Sequence, residues 1–147
     1  MANIRFPKTG EGLVRYLAAA NMPPETAIFE TGAHLVAFAA GIGYQRKEKD
    51  QDFTPVADRP QPIDLNIFRS QGLYESLQII AIADTGSHAI VHDDKEKELC
   101  ELIEKYASAG FKYLLAMHNE CDGAFFYRQL VQQLESALPY KKSKQSA

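Results

Sequence analysis

The sequence lacks any apolar run long enough to cross a membrane. No stretch reaches the roughly 18 apolar residues of a spanning helix, and the first segment, MANIRFPKTGEGLVRYLAAA, has no apolar core of roughly 7–15 residues behind a basic start. These absences argue against a membrane protein and against a secreted one. We therefore expect a soluble protein of the cytoplasm.

Cysteine is scarce and tryptophan is absent. The only cysteines are Cys100 and Cys121, and two are too few for the disulfide framework of a small secreted domain. We interpret both as reduced thiols that are buried or half-buried.

A strong charge of either sign is also missing. The formal net charge is -3, which excludes a protein that coats nucleic acid by bulk electrostatics, because non-specific affinity comes mainly from neutralised phosphates. The distribution is uneven, since Lys and Arg number 4 against 9 Asp and Glu in residues 51–100. The middle third is acidic and the two ends are mildly basic.

The length and composition indicate one self-sufficient domain. A chain of 147 residues with 46% hydrophobic residues can bury roughly 68–70% of its unfolded surface. We predict a single helical domain over residues 1–140 and a basic tail over residues 141–147. Residues 45–62 are polar, rich in proline and without periodicity, so we predict a flexible loop there.

The start of the chain alternates polar and apolar residues. Asn3, Ile4, Arg5 and Phe6 form this pattern before Pro7 stops it, which predicts a short strand with Ile4 and Phe6 facing the core and Asn3 and Arg5 facing outward.

Apolar residues at helical spacing dominate the rest of the chain, so the predicted fold class is mainly α. We predict helices over about residues 10–20, from Thr31 to a stop at Gly43, over residues 73–85 before Gly86, from Asp93 onward, and after Asp122. Gly110 predicts either a kink or a corner between two helices. The predicted core comprises Leu35, Phe38, Ile42, Leu77, Ile80, Leu102, Ile103 and Tyr106.

Four stretches of the chain carry a family resemblance. They are ETGAHLVAFAAGIGY, PIDLNIFRSQG, LQIIAIADTG and ELIEKYASAGFKYL. In order and spacing they resemble the small family called Dnd system-associated protein 4, from about Ile4 to Leu115. The resemblance implies association with gene clusters that replace a non-bridging phosphate oxygen of DNA with sulfur, or that restrict DNA lacking it. It implies no established activity for this component.

The layout of residues 3–42 has two further likenesses. It is similar to a small helical protein of the same gene clusters that binds nicked duplex DNA, and it resembles a ribbon-helix-helix module, in which two chains pair their first strands in the major groove. In that arrangement Arg5 would face guanine edges and Asn3 adenine edges. The alternative for this segment is an edge strand.

Side chains with catalytic or metal-binding chemistry are present but poorly spaced. His88, His92, Asp93 and Asp94 lie in a loop or strand, and His118 and Cys121 form no second paired cluster. Neither cysteine has an oxyanion motif nearby, and no phosphate-binding GxxxxGK[ST] sequence is present. We expect a protein that is not an enzyme and that holds neither metal nor cofactor.

A short basic segment follows the predicted core helix. Arg46, Lys47 and Lys49, interleaved with acids, can reach a phosphate backbone, and together with Arg5 they are our predicted DNA-contacting residues. The predicted function is an accessory protein of a phosphorothioation system that binds DNA, a partner protein of that system, or both. Two alternatives remain open: a protein-only adaptor that docks a basic enzyme through the acidic middle third, and a small DNA-binding regulator that acts as a dimer, the simplest homo-oligomer.

Overall fold

The computed structural model describes residues 2–8, 32–57 and 61–120. Within these ranges 69% of the residues are helical, which confirms the predicted fold class. The elements are β1 (Asn3–Ile4), α1 (Gly32–Gln45), β2 (Ile63–Asp64), α2 (Leu65–Ser70), α3 (Tyr74–Thr85) and α4 (Glu96–Glu120), with 3-10 turns at His88–Val91 and Asp93–Lys95. The helices predicted over residues 10–20 and after Asp122, and the tail 141–147, lie outside the described residues.

The chain divides into two units, residues 1–115 and residues 116–147. The first contains both strands, α1 to α3 and most of α4. Of the second, the structure describes only residues 116–120, which belong to α4. All of the contacts discussed below lie in the first unit.

The N-terminal strand follows the predicted alternation. Ile4 and Phe6 are buried, while Asn3 and Arg5 are exposed. Its partner is β2 of the same chain, with Ile4 opposite Ile63 in an antiparallel pair. A ribbon-helix-helix module instead pairs this strand with a second copy, so the described pairing differs from that layout.

Helices α1 and α4 cross with their backbones in contact. A Cβ atom added at Gly110 would lie 1.9 Å from the carbonyl oxygen of Ala39, and one added at Gly43 would lie 2.1 Å from that of Tyr106. Glycine is required at both positions because the opposing backbone occupies the space of a side chain. The prediction that Gly43 ends its helix was therefore wrong, and so was the alternative that two helices meet at a corner at Gly110; that α4 is kinked there stays a prediction. Helix α1 continues to Gln45, and α4 runs unbroken through Gly110.

The core agrees with the prediction at six of its eight predicted positions. Those buried are Leu35, Ile42, Leu77, Ile80, Ile103 and Tyr106. Phe38 and Leu102 are only half-buried, so their assignment to the core centre was wrong. The largest fully buried side chains are Phe68 of α2 and Phe111 of α4, which the sequence pattern did not single out.

Candidate nucleic-acid interface

The predicted basic segment begins where α1 ends. The backbone N–H of Lys47 donates to the carbonyl of Tyr44 at 3.0 Å, and that of Glu48 donates to Gly43 at 2.9 Å. These are the two bonds of a Schellman cap, whose turning residue adopts the left-handed conformation. That residue is Lys47, with φ 56°. The cap turns the chain out of α1 toward α4.

Asp50 anchors the segment to α4. Its backbone N–H donates to the carbonyl of Lys105 at 3.0 Å, and its carboxylate accepts from the buried Ser108 hydroxyl at 2.6 Å and lies 3.1 Å from the Lys112 ammonium. Burial pushes the pKa of Asp50 upward, but the hydrogen bonds from Ser108 and Lys112 outweigh it and leave the pKa lowered. The carboxylate is thus held in its charged form.

A second carboxylate connects the segment to α3. The Lys49 ammonium lies 3.0 Å from Oδ1 of Asp84, and the Tyr106 hydroxyl donates to the same oxygen at 2.6 Å. Burial again pushes the pKa of Asp84 upward, and these two hydrogen bonds outweigh it and leave the pKa lowered. Burial, together with donation to Asp84, raises the pKa of Tyr106. Lys49 therefore joins the segment to two helices.

The far end of the segment is joined to the N-terminal residues. The backbone N–H of Lys8 donates to Thr54, and that of Val56 donates to Phe6, both at 2.9 Å. Residues 45–57 and 61–62 are the described parts of the predicted loop, and beyond Gln45 they contain no helix and no strand. Residues 45–57 are hydrogen-bonded to the rest of the first unit at each of these points. That residues 45–62 are flexible stays a prediction.

A cleft of about 790 Å³ lies between this segment and α4, and we call it the loop cleft. Its charged lining residues are Lys47, Lys49 and Lys112, with Glu48, Asp50 and Asp52. Beside it, the Arg46 guanidinium stacks 4.3 Å from the ring centre of Tyr113, which also lines the cleft, and its Nε lies 3.6 Å from Glu48. The fold thus adds Lys112 and Tyr113 of α4 to the three predicted basic residues.

Arg5, the fourth predicted contact, lies elsewhere. Its Nε and one terminal nitrogen donate to the two carboxylate oxygens of Glu104 at 2.8 and 2.9 Å, and its backbone N–H donates at 2.7 Å. The Glu104 side chain is only 3% exposed, against 43% for Arg5. The guanidinium also lies 5.2 Å from the ring centre of Phe53. Arg5 therefore holds the start of the chain against α4.

Arg5 lines a second cleft, of about 710 Å³, which we call the acidic cleft. Its charged residues are Arg5 and Lys97, opposed by Asp93, Asp94, Glu96, Glu101 and Glu104. Cys100 also lines it and is buried, as predicted. Burial, reinforced by the neighbouring carboxylates of Glu104 and Glu96, raises the pKa of the Cys100 thiol to about 12. A thiol with so high a pKa is almost entirely protonated at neutral pH, and it is therefore a poor nucleophile.

We predict from the sequence that His88, His92, Asp93 and Asp94 do not form a metal site. Over the ranges that the structure describes, no group of three or more His, Cys, Asp or Glu side chains can hold a metal ion. The His118 side chain and Cys121 lie outside those ranges. In the same part of the chain, no helix combines the length and apolarity needed to cross a membrane.

The fold and its clefts define a small, mainly helical protein with two charged clefts beside α4, one lined by equal numbers of cations and anions and the other mainly acidic. The chain belongs to the family of DNA sulphur modification system-associated protein 4, whose family model matches residues 3–146. No curated protein and no solved structure matches it significantly. The resemblance inferred from the sequence is confirmed, and the match extends past Leu115 over the last predicted helix and most of the tail. The protein is accordingly associated with a DNA sulphur modification system.

We expect Asp84→Asn to lower the free energy of unfolding by about 1.5–3 kcal/mol at pH 7, because the hydrogen bonds from Lys49 and Tyr106 lose their charged acceptor. The folded-state pKa of Asp84 is lowered, so its contribution is present above the unfolded-state pKa of roughly 3.9 and is lost as pH falls through the folded-state value. The difference between variant and parent should therefore shrink below about pH 4. Urea unfolding of both proteins at pH 7, 4 and 3 measures this difference in unfolding free energy.

Asp52→Asn is the matched control, since this carboxylate is exposed and makes no hydrogen bond within the described ranges. It should change stability by less than about 0.5 kcal/mol at each pH. If Asp84→Asn changes stability no more than this control does, the hydrogen bonds from Lys49 and Tyr106 to Asp84 do not stabilise the fold.

Proposed function

We propose that the protein is a non-enzymatic accessory protein of a DNA sulphur modification system and that it contacts DNA phosphates through the loop cleft. The supporting observation is that Arg46, Lys47 and Lys112 place exposed cationic groups around one cleft, beside the ring of Tyr113. Two lie on the segment after α1 and one on α4, so the arrangement depends on the fold. The proposed place of action is the cytoplasm, where the DNA of such a system is reached.

The charge of the cleft sets the expected strength of this contact. Three phosphate contacts correspond to a slope of about -2.7 in log affinity against log salt on duplex DNA. Glu48, Asp50 and Asp52 line the same cleft and oppose close approach of a polyanion. We infer a weak, sequence-independent contact that orients the protein on DNA, while a partner protein of the system supplies most of the affinity.

An electrophoretic shift series tests the proposal. The probes are intact, nicked and phosphorothioated duplexes of one sequence, each titrated from ~50 to ~200 mM salt, the range over which electrostatic binding weakens most steeply. We expect measurable binding at the low end and a slope near -2.7. A protein without affinity for any of the three probes at ~50 mM salt makes no direct DNA contact.

A second candidate function is that of an adaptor for a basic protein. Asp93, Asp94, Glu98 and Glu101 are exposed at the start of α4, next to the cations Lys95 and Lys97. Complementary charge speeds association and suppresses wrong partners, so this surface suits a basic DNA-handling protein of the same system. The corresponding test is calorimetric titration of such a purified protein with the parent chain and with Glu98→Lys plus Glu101→Lys. Equal affinities would exclude this surface.

A further inference from the structure

We propose that, of the three lysines that line the loop cleft, Lys47 and Lys112 contact phosphates together with the neighbouring Arg46, whereas Lys49 is a positioning residue. This inference rests on the proposed DNA contact and deepens it by dividing the cations of the cleft into two roles. The ligand chemistry is that of backbone phosphodiesters of duplex DNA, approached without base readout.

The first supporting observation is the strained backbone of Lys47. Its φ of 56° lies in the left-handed region, which residues with a Cβ adopt at a cost and which glycine adopts freely. The two cap bonds at this turn use backbone groups of Tyr44 and Gly43 as acceptors, so glycine would form the same cap. A strained non-glycine residue that persists is a pointer to function.

The second observation is what the Lys47 side chain does in the fold. It is exposed and lines the loop cleft, and no hydrogen bond, ion pair or ring contact joins its ammonium to a residue of the described ranges. A cation near a helix C-terminus is favourable to the helix dipole, but Arg46 of the same turn already supplies one. The structural role of this position therefore does not account for a lysine.

Lys112 can leave Asp50 without removing all of the hydrogen bonds to that carboxylate. Its side chain is 53% exposed, and the Asp50 carboxylate that it approaches also accepts from Ser108 and from the backbone N–H of Asp52. A phosphate can thus take up the Lys112 ammonium while Asp50 keeps two hydrogen bonds. The Asp50 side chain is only 9% exposed, but because these two hydrogen bonds remain, exchanging the carboxylate for a phosphate costs less than leaving a buried carboxylate without any donor.

Lys49 is placed differently. Its side chain is 33% exposed, its ammonium pairs with Asp84 of α3, and it lies 5.7 Å from the ring centre of Tyr106. The pair connects the segment to the helices that support it. Its loss is expected to disturb the position of Lys47 and to lower stability.

The experiment combines thermal melting with fluorescence anisotropy on a labelled 20-base-pair duplex. The variants are Lys47→Gly, Lys47→Arg, Lys112→Gln and Lys49→Gln, with Lys97→Gln of the acidic cleft as a control for the same change in net charge. We expect Lys47→Gly to keep or raise the melting temperature while weakening affinity on the order of 10-fold at ~50 mM salt and about 3-fold at ~200 mM, with the salt slope flatter by about 0.9.

The other variants separate the roles. Lys47→Arg should bind like the parent protein. Lys112→Gln should weaken binding as Lys47→Gly does, and it should lower the melting temperature by less than Lys49→Gln does, because Asp50 keeps two hydrogen bonds. Lys49→Gln should lower the melting temperature and leave the salt slope unchanged. Lys97→Gln should leave the affinity within about 2-fold of the parent, since it neutralises no phosphate.

Two results overturn the inference while the proposed DNA contact stands. One is that Lys47→Gly and Lys112→Gln bind the duplex as tightly as the parent protein does. The other is a loss of affinity in Lys97→Gln equal to theirs, which would indicate bulk charge. A parent protein that does not bind the duplex at all overturns both the inference and the proposed DNA contact.

Discussion

Gly110→Ala is expected to destabilise the protein by about 3 kcal/mol or more, at the upper end of the cost of overpacking a core. The added methyl group would meet the carbonyl oxygen of Ala39 at 1.9 Å. That atom belongs to a helical backbone and cannot turn aside as a flexible side chain can. The only relief is for α1 and α4 to move apart, which loosens the apolar contacts along their crossing.

Gly41→Ala provides the matched control for this prediction. Gly41 also lies inside α1, but an added Cβ would meet nothing within 4 Å. Alanine is favoured over glycine inside a helix by roughly 0.5–1 kcal/mol, so this variant should be slightly more stable than the parent. Urea unfolding followed by far-ultraviolet circular dichroism compares the two. Equal stabilities for Gly110→Ala and Gly41→Ala would show that the helices do not cross in this way.

Arg5→Ala is expected to cost about 2–4 kcal/mol, somewhat below the loss for breaking a fully buried ion pair because Arg5 is itself partly exposed. Among the described residues, the substitution leaves the backbone N–H of residue 5 as the one donor to the buried Glu104 carboxylate. Replacing both partners by apolar residues, Arg5→Met with Glu104→Leu, should recover most of the loss, since an apolar pair of similar volume needs no compensation. Thermal and urea unfolding of Arg5→Met, Glu104→Leu and the double variant measure the coupling between the two residues.

The same set of variants decides what Arg5 does. If Arg5 reads a base, its replacement costs about 1–3 kcal/mol of DNA-binding free energy at one sequence position. Adding Glu104→Leu would not restore that binding. If Arg5 instead stabilises the fold, the double variant is more stable than the single variants. If Arg5→Ala is as stable as the parent protein while its DNA binding is weakened, the structural role assigned to Arg5 is wrong.

Local patterns were sufficient to predict those parts of the fold that depend on neighbouring residues. The alternation of polar and apolar residues predicted the burial of Ile4 and Phe6, and the spacing of Leu77 and Ile80 predicted the inner face of α3. The predicted end of that helix is confirmed by Gly86, which has φ 70° and donates to the carbonyl of Ile82 at 2.7 Å. Each of these depends on at most a few consecutive residues.

Glycine was ambiguous, because one residue type serves two physical purposes. Gly86 ends a helix, whereas Gly43 and Gly110 lie within helices at a crossing. A single sequence does not distinguish a glycine needed for its backbone freedom from one needed for its missing side chain. The difference follows only from what packs against it.

The pairing of charges was the part that sequence reasoning missed. Lys49 and Asp84 are separated by 35 positions and Arg5 and Glu104 by 99, so nothing local connects them. One signal was available for Glu104, which falls on the same helical face as the buried Cys100 and Phe111. A carboxylate on such a face requires a cationic or hydrogen-bonding partner.

The most direct measurement of the central claim is amide chemical-shift mapping of the labelled protein as an unlabelled duplex is added at ~50 mM salt, where electrostatic contacts are strongest. The proposed contact predicts changes concentrated in residues 46–49 and 109–113, which diminish as salt is raised, with residues 93–101 unaffected. Changes confined to residues 93–101, or spread evenly over the described helices, would contradict a DNA contact through the loop cleft.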